Sequence, residues 1–310
     1  MKKRVVVALG HRALGTTLPE QKTAVKHTAK CIADLIEEGY QVAITHSNAP
    51  QLGMIHTAMN EFAKAHKDYT PAPMSVCSAM SQGYIGFDLQ NAIKDELYLR
   101  GIDHKVSTII SQVEVDPEDP AFYHPTKPIG RFMTREEAIK KEAKGIPCVE
   151  DSGRGYRQVV ASPKPKRIRE LQTIRTLVNA GHIVVTCGGG GIPVVQKDGK
   201  LVGVNAVIDK DSASSLLAQK LDAEYLVILT AVEKVAIHFG KPDQQWLSEL
   251  TVEEAKKYMA EGEFPAGSML PKIEAAVQFA ESKKGRKTLI TQLEKAAEGI
   301  EGRTGTVIHV

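Results

Sequence analysis

The chain of 310 residues lacks the marks of a membrane span, a disulfide scaffold or a nucleic-acid binder. No run of about 18 apolar residues occurs, so no segment suits a helix crossing a bilayer. Its cysteines, Cys31, Cys77, Cys148 and Cys187, stand far apart without paired spacing. That excludes a cysteine zinc site and reads as isolated thiols in a reducing cytoplasm. Neither sign of charge dominates: 40 Lys and Arg stand against 37 Asp and Glu, for a net +3. The lysines are dispersed, which gives no footprint for nucleic acid. Ten histidines are present, but none has a metal spacing such as His-Glu-x-x-His. His46-Ser47 lacks the Gly-x-Ser-x-Gly elbow of a hydrolase. No internal repeat or low-complexity tract appears. The basic start is followed by only five apolar residues, Val5 to Leu9, before Gly10. This reads as a first strand rather than a leader.

What is present is an alternation of strand and helix patterns. Val5–Leu9 predicts a buried strand, and Ala24, Ile32, Leu35 and Ile36 recur at helical spacing from Pro19 until Gly39 stops them. Val42–Thr45 predicts a second strand, residues 51–65 a helix, and Val106–Val115 one further strand. In the second half the pattern predicts helices over 167–180, 209–221 and 271–282. It predicts strands over 182–187, 225–230, 287–291 and 306–309. This rhythm argues for an α/β fold, a mostly parallel sheet with helices on both faces. Residues 116–165 break it. They are rich in proline, with one charged helical piece near 134–144, and predict an inserted subdomain standing away from the sheet.

Two features point to phosphate. Gly188–Gly191 follow an apolar strand, and a loop without Cβ atoms lets backbone N–H groups close on an anion. It is no Walker loop, since no Gly-Lys-Ser/Thr closes it, and Pro193 spoils the dinucleotide fingerprint. Lys272, in Gly267-Ser-Met-Leu-Pro-Lys272, falls in the first turn of a helix, where cation and dipole can share a phosphate. Asp209-Lys210-Asp211 reads either as a capped helix start or as a lysine held between two carboxylates. Lys127, between Pro125 and Pro128, reads on spacing alone as a solvated lysine or as one aimed by a stiff loop.

Several unusual strings occur in order: Pro125-Thr-Lys-Pro-Ile-Gly130, Glu150-Asp-Ser-Gly-Arg-Gly155, Ser162-Pro-Lys-Pro165, Cys187-Gly-Gly-Gly-Gly-Ile-Pro193, Val207-Ile-Asp-Lys-Asp211, Phe239-Gly-Lys-Pro242 and Gly267-Ser-Met-Leu-Pro-Lys272. Together they closely resemble the carbamate kinases of the amino-acid-kinase family over essentially the whole chain. The resemblance implies an open three-layer αβα sandwich with a protruding subdomain, working as a cytoplasmic homodimer. It implies an acceptor lobe over 1–115, the subdomain over 116–165 and a nucleotide lobe over 166–310. The implied reaction is reversible phosphoryl transfer between ATP and carbamate, giving carbamoyl phosphate and ADP, run towards ATP in arginine catabolism. Mg2+ would be held mainly by phosphates, with no metal ligands from the protein. Lys210 and Lys272 would lie along the phosphoryl groups, Lys127 would reach in from the subdomain, and Asp211 with Asp209 would orient lysines. Gly188, Gly189, Gly190, Gly267 and Ser268 would border the nucleotide phosphates. Phe239, Gly240, Lys241, Pro242 and Met269 would wall the adenine and ribose.

The acceptor loops depart from the family pattern. Gly10-His11-Arg12 stands where the family has Gly-Gly-Asn, and His46-Ser47-Asn48-Ala49-Pro-Gln51 where it has His-Gly-Asn-Gly-Pro-Gln. If His11 or Ala49 inherits a left-handed backbone, each costs about 1–2 kcal/mol. Arg12 offers a planar fork for carboxylate or phosphate. Three readings follow: a carbamate kinase with an unusual acceptor loop, a kinase for another small carboxylate or carbamate, and a nucleotide-binding homologue without catalysis. The full set Lys127, Lys210, Asp211 and Lys272 favours the first.

Overall fold

The computed structural model describes residues 3–151 and 153–310, so Met1, Lys2 and Ser152 of the strings above lie outside the described residues. The first third holds β1 (Arg4–Leu9), α1 (Leu18–Glu37), β2 (Gln41–His46), α2 (Ala49–Ala65), α3 (Met74–Leu99) and β3 (Val106–Thr108). Next come β4 (Gln112–Val115), β5 (Lys127–Met133), α4 (Arg135–Glu142), β6 (Cys148–Glu150), β7 (Tyr156–Val160) and β8 (Pro165–Ile168). Then follow α5 (Leu171–Asn179), β9 (Ile183–Val185), β10 (Ile192–Lys197), β11 (Lys200–Gly203), α6 (Lys210–Lys220) and β12 (Tyr225–Thr230). The chain closes with β13 (Val235–Ile237), β14 (Gln245–Leu247), β15 (Glu249–Thr251), α7 (Val252–Ala260), α8 (Leu270–Glu281), β16 (Lys287–Gln292), α9 (Ala296–Ile300) and β17 (Thr306–His309).

Eight strands form the main sheet in the order β15-β17-β16-β12-β1-β2-β9-β3. All its pairings are parallel except β16 with β17. Strand β1 is buried from Val5 to Leu9, and its alternate residues serve two cores. Val6 and Ala8 pack with α5, α6 and α8, whereas Val5, Val7 and Leu9 pack with α1 and α3. A central parallel strand buried on both faces reads as a continuous apolar run, as this one does. The α/β expectation holds, with helices on both sides.

Two expected elements are corrected, and one helix was not expected. Val106–Val115 is two strands: β3 closes the main sheet, and β4 joins a separate sheet ordered β11-β10-β4-β8. The helix predicted from Arg167 begins only at Leu171, because residues 165–168 pair with β4 instead. Helix α3 was absent from the sequence-based pattern altogether. It starts after Pro73 without a side-chain cap, and it buries Ser75, Ser78, Ser81, Gln82 and Asp88 among its apolar residues. No clean apolar stripe therefore marks it.

The proline-rich segment contains a small sheet, β5-β7-β6, with α4 beside it. Helix α4 opens on a capping box in which Thr134 and Glu137 exchange hydrogen bonds. A third apolar cluster joins this unit to the body: Ile129 and Val160 pack with Leu52, Ile55 and Val207.

Candidate active site

The main-sheet strands deliver their loops to one edge. β1 runs into Gly10-His11, β2 into Ser47, and β9 into the glycine turn, all at carboxyl ends. In open parallel sheets that edge is where ligands bind. There a cavity of about 220 Å3 is lined by Gly10, His11, Ser47, Asn48, Ala49, Lys127, Gly189, the 207–211 segment and Gly267, Ser268, Pro271 and Lys272.

Three ammonium groups meet in it, tied by two carboxylates. Lys210 Nζ donates to Asp211 Oδ1 at 2.5 Å, and Lys272 Nζ donates to Asp211 Oδ2 at 3.2 Å. Lys127 Nζ, arriving on β5, donates to Asp209 Oδ2 at 2.6 Å. The same Asp209 caps α6, its Oδ1 accepting from the N–H groups of Asp211 and Ser212. One carboxylate thus both starts the helix that carries Lys210 and holds the lysine from the protruding unit. Of the two readings of Asp209-Lys210-Asp211, the helix cap is present at Asp209, while the clamp on Lys210 is only half made: its hydrogen bond goes to Asp211, and Asp209 serves Lys127.

Burial governs the electrostatics. Burial works to raise the Asp211 carboxyl, but Lys210 and Lys272 overcome it and hold the group well below the usual carboxylate range. For Lys210, burial pulls the ammonium below its ordinary value; Asp211 resists and the positive charge of Lys272 adds to the fall. Two ammonium groups share one carboxylate, so positive charge is left in the cavity. An anion would complete it.

The glycine turn is shaped by its protein neighbours. A Cβ on Gly188 would lie 2.3 Å from His46 Nε2, and one on Gly189 would lie 2.0 Å from Asn48 Nδ2. Gly189 also has φ +63° and is the glycine of the four that borders the cavity. The N–H groups of Gly190 and Gly191 are spent inside the turn, on the carbonyls of Cys187 and Gly188. Helix α3 supports the turn: Gln82 Nε2 donates to the carbonyls of Gly188 and Ser111, and Asn48 Nδ2 donates to Ser81 Oγ at 2.8 Å. Sequence reasoning missed Ser81 and Gln82 because it missed their helix.

The acceptor loops fold without the strain expected of them. Neither His11 nor Ala49 has positive φ. His11 opens a short 3-10 turn and Ala49 opens α2, conformations any residue adopts. His11 Nε2 lies 3.2 Å from Thr16 Oγ1. Burial lowers its pKa, Glu20 opposes the change and Arg157 adds to it. Ser47 Oγ is covered and has no hydrogen-bond partner among the described residues. Arg12 does not border the cavity.

A second cavity of about 200 Å3 adjoins the first, and Ser268 and Lys272 line both. Its walls include Phe239 and Met269, as expected, with Ala231 and Trp246, which were not anticipated from sequence. Phe239 and Trp246 meet edge to face with ring centroids 6.2 Å apart. Gly240, Lys241 and Pro242, expected beside Phe239 in this wall, are not among its lining residues. They form the turn that presents Phe239, with Lys241 N–H bonded to the His238 carbonyl.

His46 gives a test independent of activity. Burial pushes its pKa down to about 4. An unfolded imidazole protonates near 6.5. The unfolded chain therefore binds the extra proton between those values. His46 contributes nothing to pH dependence above about 6.5, and stability is lost as pH falls from there to about 4. The loss should be about 3 kcal/mol in denaturant titrations. His46→Gln should flatten that part of the profile.

Comparisons with known proteins identify the family. The model of the amino acid kinase family matches residues 3–292. The carbamate kinase-like protein of Escherichia coli K12 is 56% identical over 308 residues, covering 99% of both chains. Carbamate kinase 3 of Staphylococcus aureus USA300 is 48% identical, covering 98% of this chain and 99% of its own. The solved carbamate kinase of Giardia lamblia bound to AMP-PNP superposes with a TM-score of 0.91 at 38% identity, covering 99% of this chain and 98% of that one. The chain belongs to the amino acid kinase family, among its carbamate kinases.

Proposed function

We propose that this protein is a carbamate kinase, moving a phosphoryl group reversibly between ATP and carbamate. The observation that carries the reading is the convergence of Lys127, Lys210 and Lys272 on one cavity. A carbamate oxygen is already anionic at neutral pH, so no general base is required. The barrier lies in bringing two anions together, and positioning with charge neutralisation lowers it. The carbamate oxygen attacks the γ-phosphorus as the bond to the ADP oxygen breaks. Lys210 and Lys272 lie along the transferring phosphoryl and the nucleotide phosphates, and Lys127 closes from the protruding unit. Asp211 and Asp209 orient these lysines. Phe239, Trp246 and Met269 wall the base, with Gly267, Ser268 and Gly189 near the phosphates. Gly10, His11, Ser47, Asn48 and Ala49 form the acceptor end.

Mg2+ fits as a phosphate-bound ion. Both aspartates in the cavity are engaged by lysines, and no cluster of three or more metal-ligating side chains occurs among the described residues. The ion would be held by the nucleotide's phosphates and would offset their charge. We assign the net direction to ATP synthesis in the cytoplasm. No described helix is long and apolar enough to cross a membrane. Exposed Met54, Phe62, Met80 and Phe87 on α2 and α3 support a homodimer.

Purified protein given MgADP and carbamoyl phosphate should form ATP rapidly. A second reading, another small carboxylate as acceptor, is favoured by the His11 ring and the unpartnered Ser47 hydroxyl, and turnover only with a different acyl phosphate would select it. ATP binding without any turnover, regained when His11→Gly, Arg12→Asn, Ser47→Gly and Ala49→Gly are combined, would overturn both. Separately, Lys272→Ala should weaken nucleotide binding about 10-fold or more, since a charge-assisted contact is worth about 1.5–3 kcal/mol. Titration calorimetry with ATP checks this, and unchanged affinity would remove Lys272 from the phosphate site.

A further inference from the structure

Helix α2 and strand β5 touch backbone to backbone. A Cβ placed on Gly53 would lie 2.6 Å from Gly130 Cα and 2.9 Å from Gly130 N. Both are main-chain atoms, which cannot swing aside as a side-chain tip would. Gly53 is buried within α2, so the contact is not a matter of backbone freedom. On the far side, Arg157 Nε donates to the Gly130 carbonyl at 3.1 Å. Gly130 is therefore held between a helix and a neighbouring strand.

What depends on this contact is Lys127, three residues earlier on the same strand. The apolar cluster around it includes Leu52 beside Gly53, Ile129 beside Gly130, and Val207, two residues before Asp209. The contact and the Lys127–Asp209 pair thus share one small core. We propose that Gly53 is a positioning residue: its missing side chain sets how closely the protruding unit seats on α2, and so places Lys127 in the cavity.

The magnitude follows from contact distances. Non-bonded carbons rest about 3.5–4.0 Å apart. Gly53→Ala forces β5 back by about 1 Å to reach that separation. A retreat of that size directed away from Asp209 lengthens the 2.6 Å Lys127–Asp209 contact past the hydrogen-bond limit of about 3.5 Å. The cavity that receives the nucleotide base is built from residues 230–272 and is not disturbed.

The inference rests on the assignment of Lys127 to phosphoryl transfer, and two measurements keep the failures apart. In the assay, Gly53→Ala should lower kcat about 10- to 100-fold, the scale of a 1 Å misplacement. Its nucleotide affinity should match wild type, which also certifies the fold. In a Lys127→Ala background the same substitution should have little further effect, because both act through one group. Equal losses with and without Lys127, or a parallel fall in nucleotide affinity, would overturn the proposal. The second measurement is a crystal structure of Gly53→Ala, which tests the seat whatever the reaction proves to be. A Lys127–Asp209 separation beyond hydrogen-bond range supports the proposal, and an unchanged pair contradicts it.

Discussion

Replacing Lys210 with alanine should reduce turnover of carbamoyl phosphate and MgADP by about 100- to 1000-fold, the loss seen when one preorganised donor to a developing charge is removed. Lys210 is the least exposed of the three lysines, its side chain 11% accessible against 18% for Lys272 and 32% for Lys127. Few water molecules compete with it, so its charge acts at short range with little screening. Folding should survive, because Asp211 keeps Lys272 as its partner. Stopped-flow or coupled ATP assays give kcat, and nucleotide titration gives affinity. The loss should fall mainly on kcat, as expected of a contact strongest in the transition state. An equal rise in KM with unchanged kcat would assign Lys210 to ground-state binding.

The second large effect should come from Asp211→Asn. The carboxylate is nearly buried and bridges two ammonium groups. Without its charge, Lys210 and Lys272 repel one another where water cannot screen them. Breaking such a buried arrangement costs about 3–5 kcal/mol. The variant should unfold at lower denaturant, and its turnover should fall as the lysines lose their aim. ATP should then rescue it disproportionately, because the phosphates supply the missing negative charge. Thermal unfolding with and without MgATP checks this: the nucleotide-induced rise in Tm should exceed that of wild type. An equal rise in both proteins would mean that the phosphates do not lie against these lysines.

How much of this was legible in the sequence depended on whether a signal was local. Val5–Leu9 and Tyr225–Thr230 read correctly because buried parallel strands are unbroken apolar runs. Asp209 was readable as a helix cap, and it is one. Its second role, gripping Lys127 across 82 residues of chain, is a tertiary fact that no spacing encodes. The glycine turn was legible as a demand for missing side chains, but its cause was not. Gly188 and Gly189 make room for His46 and Asn48 from a neighbouring strand end. Helix α3 was hidden because it buries polar residues that support the loops, so function blurred its apolar pattern. The expected strain at His11 and Ala49 was wrong because it carried over a backbone shape from the family's glycines. This chain uses a 3-10 turn and a helix start there instead.

The proposed mechanism requires three ammonium groups from separate parts of the chain to grip one phosphoryl group in flight. A crystal structure with MgADP, aluminium fluoride and carbamate would test it most directly, the fluoride standing in for the transferring phosphoryl. The Nζ atoms of Lys127, Lys210 and Lys272 should all lie within about 3 Å of the fluoride ligands or the ADP β-phosphate. A fluoride seated with one or more of these lysines turned to solvent would contradict it.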